Sequence, residues 1–504
     1  MPSSAPVFRW PRPGKGLLKH LNALEVPPDG LIEGQNWINR YGRFKTRPGL
    51  TKFNDDVNER PMGFFLYNYE TEDNRLVMGT DAGWWKHNQA SDVWVDITGT
   101  NALAGGAENQ VQFRTFPKSG NTYLIGINGQ ATPKVWDGTS GGYVEVAGSP
   151  PSAATAIAVS AKRLLLSKGY NIKCSAIGDF DSGWGTDLDV NLYDTPGDIV
   201  CMKERGNLAH VVYKERSILN GYAQEELVAP FRYEIAVAEV PGPVSPLSVV
   251  AIEDGSHCYM AESGAIYRFD GINAVSLGEH IQAAIWQAMD RDKVDQSWGV
   301  YDPYNNELWY FFVPVGASDI NYGIMISFPD MACHALRYHN HNLSAGIKTN
   351  IESNTTLIQV PGNLGEQDLQ IGDFSKVSGS MLFGEVGGQV YESTGDDDDG
   401  YAIVHSFQTG LDLDPGIYMT LQEIYLDTEV PPSDQTVTVA PCVSNNGERP
   451  TEMQPKSVAL KTSGVKRTHH RVTARRFGLK VSGEATAELE YAGARYHATP
   501  RGLR

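Results

Sequence analysis

The residue types best suited to chemistry gather near the C-terminus. Lys456, Lys461, Lys466, Arg467, Arg471, Arg475, Arg476 and Lys480 form a basic stripe in a chain whose formal net charge is −18. Such a stripe is a candidate subunit interface, since complementary charge gives orientation and encounter rate more than raw affinity. Contact with nucleic acid competes with that reading, although no aromatic residues recur at regular steps to stack on bases. Asp396, Asp397, Asp398 and Asp399 offer the clustered oxygens that Ca²⁺ takes, but adjacent side chains diverge, and a solvated acidic linker is expected instead. His469 and His470 supply two imidazoles without a spaced third ligand, so a surface strand is expected rather than a metal site.

Hydrolysis of sugars would need paired carboxylates at a pocket. The segment Asp179, Phe180, Asp181, Ser182, Gly183, Trp184 has the look of a sialidase Asp-box, yet it lacks the leading Ser-x-Asp order and occurs once. An acidic turn closed by a Trp is the simpler account. No nucleophile elbow, P-loop, H-E-x-x-H or dinucleotide fingerprint occurs, so the expectation is a protein that is not an enzyme and needs no cofactor. Cys174, Cys201, Cys258, Cys333 and Cys442 lie far apart with no C-x-x-C pair, which predicts buried thiols formed in a reducing cytoplasm.

The elements that would carry these residues are strands. Of the 504 residues, 10% are aromatic, 52 are Gly and only 20% are charged, a composition that suits pleated surfaces joined by tight turns. The length predicts two or three structural units. The acidity argues against a surface that wraps duplex DNA. No apolar leader opens the chain and no window is long enough to span a bilayer, so neither a secretion signal nor a membrane anchor is expected.

From about residue 59 a hairpin sketch repeats. Residues 74–80 with 83–86 give the first copy, 123–127 with 134–138 the second, and 163–167 with 172–175 the third. Residues 208–213 with 217–220, 257–261 with 264–271, 307–313 with 324–328 and 380–384 with 388–392 complete seven. A recurrence near forty to fifty residues signals the blades of a β-propeller, each a small sheet that buries its faces only by stacking on neighbours. The apolar first strand of each hairpin is expected to be the inner one. Seven blades are expected, with six as the alternative count and a pair of ordinary β-sandwiches as the rival fold. Around Ile281, Ile285, Ala288 and Met289 a short helix is predicted, with Trp286 beside the apolar face. Alternating strands after Gly400 predict a C-terminal antiparallel β-sandwich. The expected division is residues 1–55 as an extended N-terminal segment, 56–399 as propeller and 400–504 as sandwich.

Several segments resemble one family. The opening through Asn36, Gly42, Arg43 and the run Arg47 to Lys52 is similar to the start of tail-nozzle proteins of short-tailed bacteriophages, also called tail hub or packaged-DNA stabilisation proteins. Residues 171–179 with Trp184, residues 297–303 leading into 307–310, and residues 475–481 resemble blade and C-terminal motifs of the same family. The resemblance is one of layout over nearly the whole chain. It implies a virion protein made in the host cytoplasm and assembled as a homo-oligomeric ring, a hexamer, below the portal and adaptor. Tail spikes or fibres and a plug protein are the implied neighbours. Genomic DNA is expected to be retained and then ejected through an acidic lumen without sequence-specific binding. The alternative is a carbohydrate- or receptor-binding propeller, suggested by ten Trp and twenty-three Tyr residues.

Overall fold

The computed structural model describes residues 7–501, apart from 71–72, 100–101, 140, 186–188, 225–229, 329, 350–378, 413–415, 429–434, 446–447 and 461–465. Over these residues the chain is all-β, with 55% strand and 4% helix. Its strands make nine antiparallel sheets, seven of four strands and two of six.

The seven small sheets follow one another along the chain. Their first strands are Pro61–Glu70, Gln112–Lys118, Ala156–Ser160, Ile199–Glu204, Val249–Ala251, Trp298–Asp302 and Leu343–Lys348. Each packs against the next, the fourth reaching the fifth through the 3-10 turn Pro246–Ser248, and the seventh returns to the first. The arrangement is propeller-like. All seven hairpins expected from the sequence are present, but as the second and third strands of their sheets. These largely buried second strands are therefore not innermost, whereas the sequence suggested that they would be. They read as apolar runs because neighbouring sheets cover both faces; Leu164, Leu165 and Leu166 are all at 0% exposure.

The sixth sheet shows what holds such a unit together. Its second strand, Glu307–Phe312, is buried at every position. The Trp309 indole N–H donates to Glu307 Oε2 at 3.1 Å, and Arg40 donates to both oxygens of the same carboxylate, at 2.8 and 2.7 Å. Between the sixth and seventh sheets the Trp298 ring lies across Gly346, where an added Cβ would stand 2.5 Å from the ring. The short helix forms as expected over Glu279–Ala288, burying Ile281 and Ile285, and the Arg291 guanidinium lies over the Trp286 ring.

Residues 7–52 are shared out among the sheets. Gly49–Lys52 pairs with Val390–Gly395 and supplies the outer strand of the seventh small sheet. Trp37–Arg40 and Arg43–Thr46 form a hairpin around Tyr41 and Gly42, which both have positive φ, as a tight hairpin turn requires. This hairpin joins a six-stranded sheet with Val7–Trp10, Met419–Thr428, Arg467–Ala474 and Glu490–Pro500. Leu31–Gln35 joins the other, with Ile403–Thr409, Gln435–Ser444, Thr451–Glu452, Lys456–Leu460 and Arg476–Ala485. Apolar residues from both six-stranded sheets share one core, which continues through Trp37 and Phe44 into the sixth small sheet at Leu308 and Tyr310.

No helix among the described residues is long and apolar enough to cross a membrane.

Candidate functional site

Where the first strands of the seven sheets meet, one end of their common axis is crossed by hydrogen bonds. Gln110, just before the second sheet, donates from Nε2 to the Ser297 carbonyl at 2.8 Å and accepts from the Leu247 N–H at 3.1 Å. Those partners precede the sixth and fifth sheets, on the far side of the ring. Ser245 Oγ donates to the same Ser297 carbonyl. Gln110 is 5% exposed, so this end of the axis is occupied by protein.

Further along the axis the first strands carry charge. Arg114 Nε donates to Glu204 Oε1 at 2.6 Å, and the same oxygen accepts the Val159 N–H at 2.9 Å. Burial alone would raise the Glu204 pKa, but Arg114 and the backbone bonds outweigh it and hold the carboxyl below its ordinary range. Lys203 sits beside this pair with no acceptor among the described residues, and burial lowers its pKa. A cavity of about 570 Å³ opens here, walled by Phe64, Val250, Trp298 and Ile347, with Lys203 and Lys348 reaching it and Glu253 at its rim. Lys348 is neutralised by Asp302 at 3.2 Å.

The C-terminal basic residues do not form one continuous stripe. They are divided between the two six-stranded sheets, and several are engaged within the chain. Lys456 Nζ donates to the His469 carbonyl. Lys466 donates to the Thr428 carbonyl at 2.8 Å and to its hydroxyl at 2.7 Å. Arg476 donates to the carbonyls of Asp412 and Leu24, both at 3.0 Å, and Lys480 pairs with Glu452 at 2.6 Å. Arg475 is partly exposed, and Lys461 lies outside the described residues. Arg467 and Arg471 remain on an exposed face, two positions either side of His469, on a strand that forms the edge of its sheet.

The histidine pair divides across that strand, as period-two alternation requires. His469 is exposed and meets Glu423 at 2.9 Å; His470 is buried and contacts Thr468 Oγ1 at 2.9 Å. Among the described residues no three metal-ligating side chains cluster. The Asp179 and Asp181 carboxylates both pair with Lys118 Nζ at 2.6 Å. Hydrogen bonds from Lys118 and Ser182 hold Asp179 down at about 2, and Trp184 closes the turn through an indole N–H to the Phe180 carbonyl at 3.0 Å. All five cysteines are buried thiols, and burial pushes the thiols of Cys174 and Cys442 up to about 12.

The acidic run requires a correction. Asp398 is not part of a solvated linker: it is 3% exposed and receives both guanidinium arms of the fully buried Arg47. The neighbouring Asp396, Asp397 and Asp399 remain nearer the surface. A buried aspartate needs a paired cation, and here that cation comes from the far end of the sequence. Gln110, Lys203 and the Arg114–Glu204 pair were also missed, because each stands alone in the sequence and gains meaning only when the sheets close on one another.

No protein-family profile and no curated protein matches the chain. Among solved structures, the computationally designed protein Ika8 aligns with 68% of this chain and 98% of its own, at 12% identity and a TM-score of 0.37.

Proposed function

We propose that this chain is a non-enzymatic structural subunit of a virion: the nozzle, or hub, of a short bacteriophage tail. In this reading the seven four-stranded sheets are the blades of one closed propeller spanning 56–399. The two six-stranded sheets are then the faces of a C-terminal sandwich spanning 400–504. The observation that carries the reading is the weaving of residues 7–52 into both parts, closing the seventh small sheet and adding strands to both large ones. That makes one stiff wedge, the shape that tiles around a symmetry axis. The bonds of Gln110 occupy the axis of the single chain, so a DNA conduit would run between copies, through the lumen of a hexameric ring.

Portal or adaptor proteins would bound that ring above, and tail spikes or fibres and a plug protein would attach to it. An acidic inner wall would let DNA slide without contacts to break. Electron microscopy of the purified chain, alone at high concentration and mixed with a head-to-tail connector protein, tests the proposal. Six-fold rings with a lumen wide enough for duplex DNA support it. Monomers under both conditions overturn it.

A glycan- or receptor-binding role is favoured by one feature. Tyr170 and Tyr193, 44% and 68% exposed, contact each other at 4.7 Å between ring centroids, beside an exposed hydrogen bond from the Asn171 amide N–H to Asn191 Oδ1 at 2.8 Å. Aromatic faces next to amides suit sugar rings. A glycan array separates this role from the nozzle, since saturable binding lost in Tyr193→Ala would establish it in a monomer.

A further inference from the structure

The axial cavity carries more than a structural role. Lys203 projects from the first strand of the fourth sheet into a space of about 570 Å³ whose walls are mostly apolar. Lys203 is half-buried there, and an ammonium partly withdrawn from water gains from a nearby counter-charge. The other charges near it are already satisfied or repel it: Glu204 is held by Arg114, and Asp302 by Lys348. Among the described residues Lys203 has neither a hydrogen-bond acceptor nor an ion-pair partner. Trp298, part of the same wall, has a buried indole N–H without an acceptor. The cavity thus presents a half-buried ammonium without an ion-pair partner beside one buried, unsatisfied indole N–H.

The surroundings narrow the class of ligand. One unpaired cation balances one negative charge. The exposed Glu253 at the rim disfavours a dianion such as phosphate, while Phe64, Val250 and Ile347 favour an apolar body over a hydrated ion. We infer that the axial cavity is a binding site for a small organic monocarboxylate, its carboxylate against Lys203 Nζ and its apolar part against the walls of the first, fifth, sixth and seventh sheets. The site is independent of whether copies assemble into a ring.

Calorimetric titration of the full chain with 3-phenylpropionate, and in parallel with inorganic phosphate, tests this. One saturable site for the carboxylate is expected, with a raised melting temperature in its presence and no such response to phosphate. Lys203→Met removes the charge and keeps the length of the side chain, so it should weaken the carboxylate by roughly ten-fold or more, about the worth of one charge-assisted hydrogen bond. The variant's melting temperature without ligand should equal or exceed that of the parent, since a half-buried cation without an ion-pair partner is lost. Glu253→Gln, at an exposed position, should tighten binding. The inference is overturned if the carboxylate does not bind, if phosphate binds equally well, or if neither substitution changes the affinity.

Discussion

Arg47 and Asp398, 351 residues apart in sequence, meet in a two-armed ion pair, Nη1 to Oδ1 at 2.8 Å and Nη2 to Oδ2 at 2.6 Å. The guanidinium lies 3.8 Å from the centre of the Tyr338 ring, and its Nε donates to Asn36 Oδ1 at 3.1 Å. Asn36 in turn donates to the carbonyls of Arg337 and Val404, both at 2.8 Å. One buried cluster thus ties the N-terminal segment, the sixth small sheet and the first strand after the acidic run. Gly49, two residues on, closes against the Asp397 backbone so tightly that an added Cβ would fall 1.9 Å from its carbonyl oxygen.

Breaking this pair from one side leaves a charge buried and unpaired. Asp398→Asn is therefore expected to cost about 3–5 kcal/mol. Arg47→Lys should also destabilise, because a single ammonium cannot reproduce the planar two-armed contact or the stacking on Tyr338. Urea denaturation of each variant measures both. Midpoints equal to that of the parent would mean that the cluster contributes nothing to the fold.

Trp309→Ala should destabilise by roughly 3–5 kcal/mol, since the ring is wholly buried and its loss leaves a cavity. The Glu307 carboxylate would also lose the indole N–H, leaving Arg40 as its donor. The same denaturation experiment checks the value, and a change near zero would contradict the packing described for the sixth sheet.

Trp309 was legible in the sequence because a run as apolar as Glu307–Phe312 fits only a strand covered on both faces. The recurrence of such a run with a hairpin partner located the second and third strands of all seven small sheets. Most first strands carry no clear signal of their own, and in the second and fourth sheets charged residues interrupt the apolar ones, as Arg114, Lys203 and Glu204 show. Gly49–Lys52 carries no local sign that its partner is Val390–Gly395, since that pairing depends on closure of the whole ring of sheets. The basic C-terminal residues were legible as types, but their division between two sheets was not, because spacing along the chain does not say which strands become neighbours.

Acid should loosen the attachment of the N-terminal segment. Trp37 Nε1–H donates to His405 Nδ1 at 3.1 Å, and the Asn39 N–H donates to His334 Nε2 at 3.4 Å. Both imidazoles act as acceptors, which requires those nitrogens unprotonated. Burial pushes His405 down to about 4 and His334 to about 3. A folded-state pKa below the unfolded value, about 6.5, favours the neutral form in the fold. The stabilisation is then complete above about pH 6.5 and is lost as pH falls through 4, on the order of 3 kcal/mol for His405 alone. Urea midpoints between pH 7.5 and 4 should decline over that window and stay level above it. His405→Gln, which keeps an acceptor and removes the titration, should flatten the decline; an unchanged slope would remove His405 from the account.

The last prediction concerns assembly and rests on the proposed ring. Of the basic residues near the C-terminus, Lys456, Lys466, Arg476 and Lys480 are engaged within the chain, whereas Arg467 and Arg471 lie on the exposed face of an edge strand. Charged side chains on an edge discourage indiscriminate strand pairing, and a neighbour with an acidic surface would find there both orientation and faster encounter. The remainder of the chain is strongly acidic, so a second copy or an acidic partner protein has the required complementary charge. Attraction of this kind fades over a Debye length of roughly 8 Å at physiological salt, which limits it to surfaces already close to docking. Replacing Arg467 and Arg471 together by Glu should abolish ring formation or connector binding while leaving the melting temperature of the isolated chain unchanged, since neither side chain is buried. Raising the salt concentration should weaken assembly of the parent chain in the same direction. Normal assembly of the double variant would place the interface elsewhere, and a fall in melting temperature would show instead that this face supports the fold.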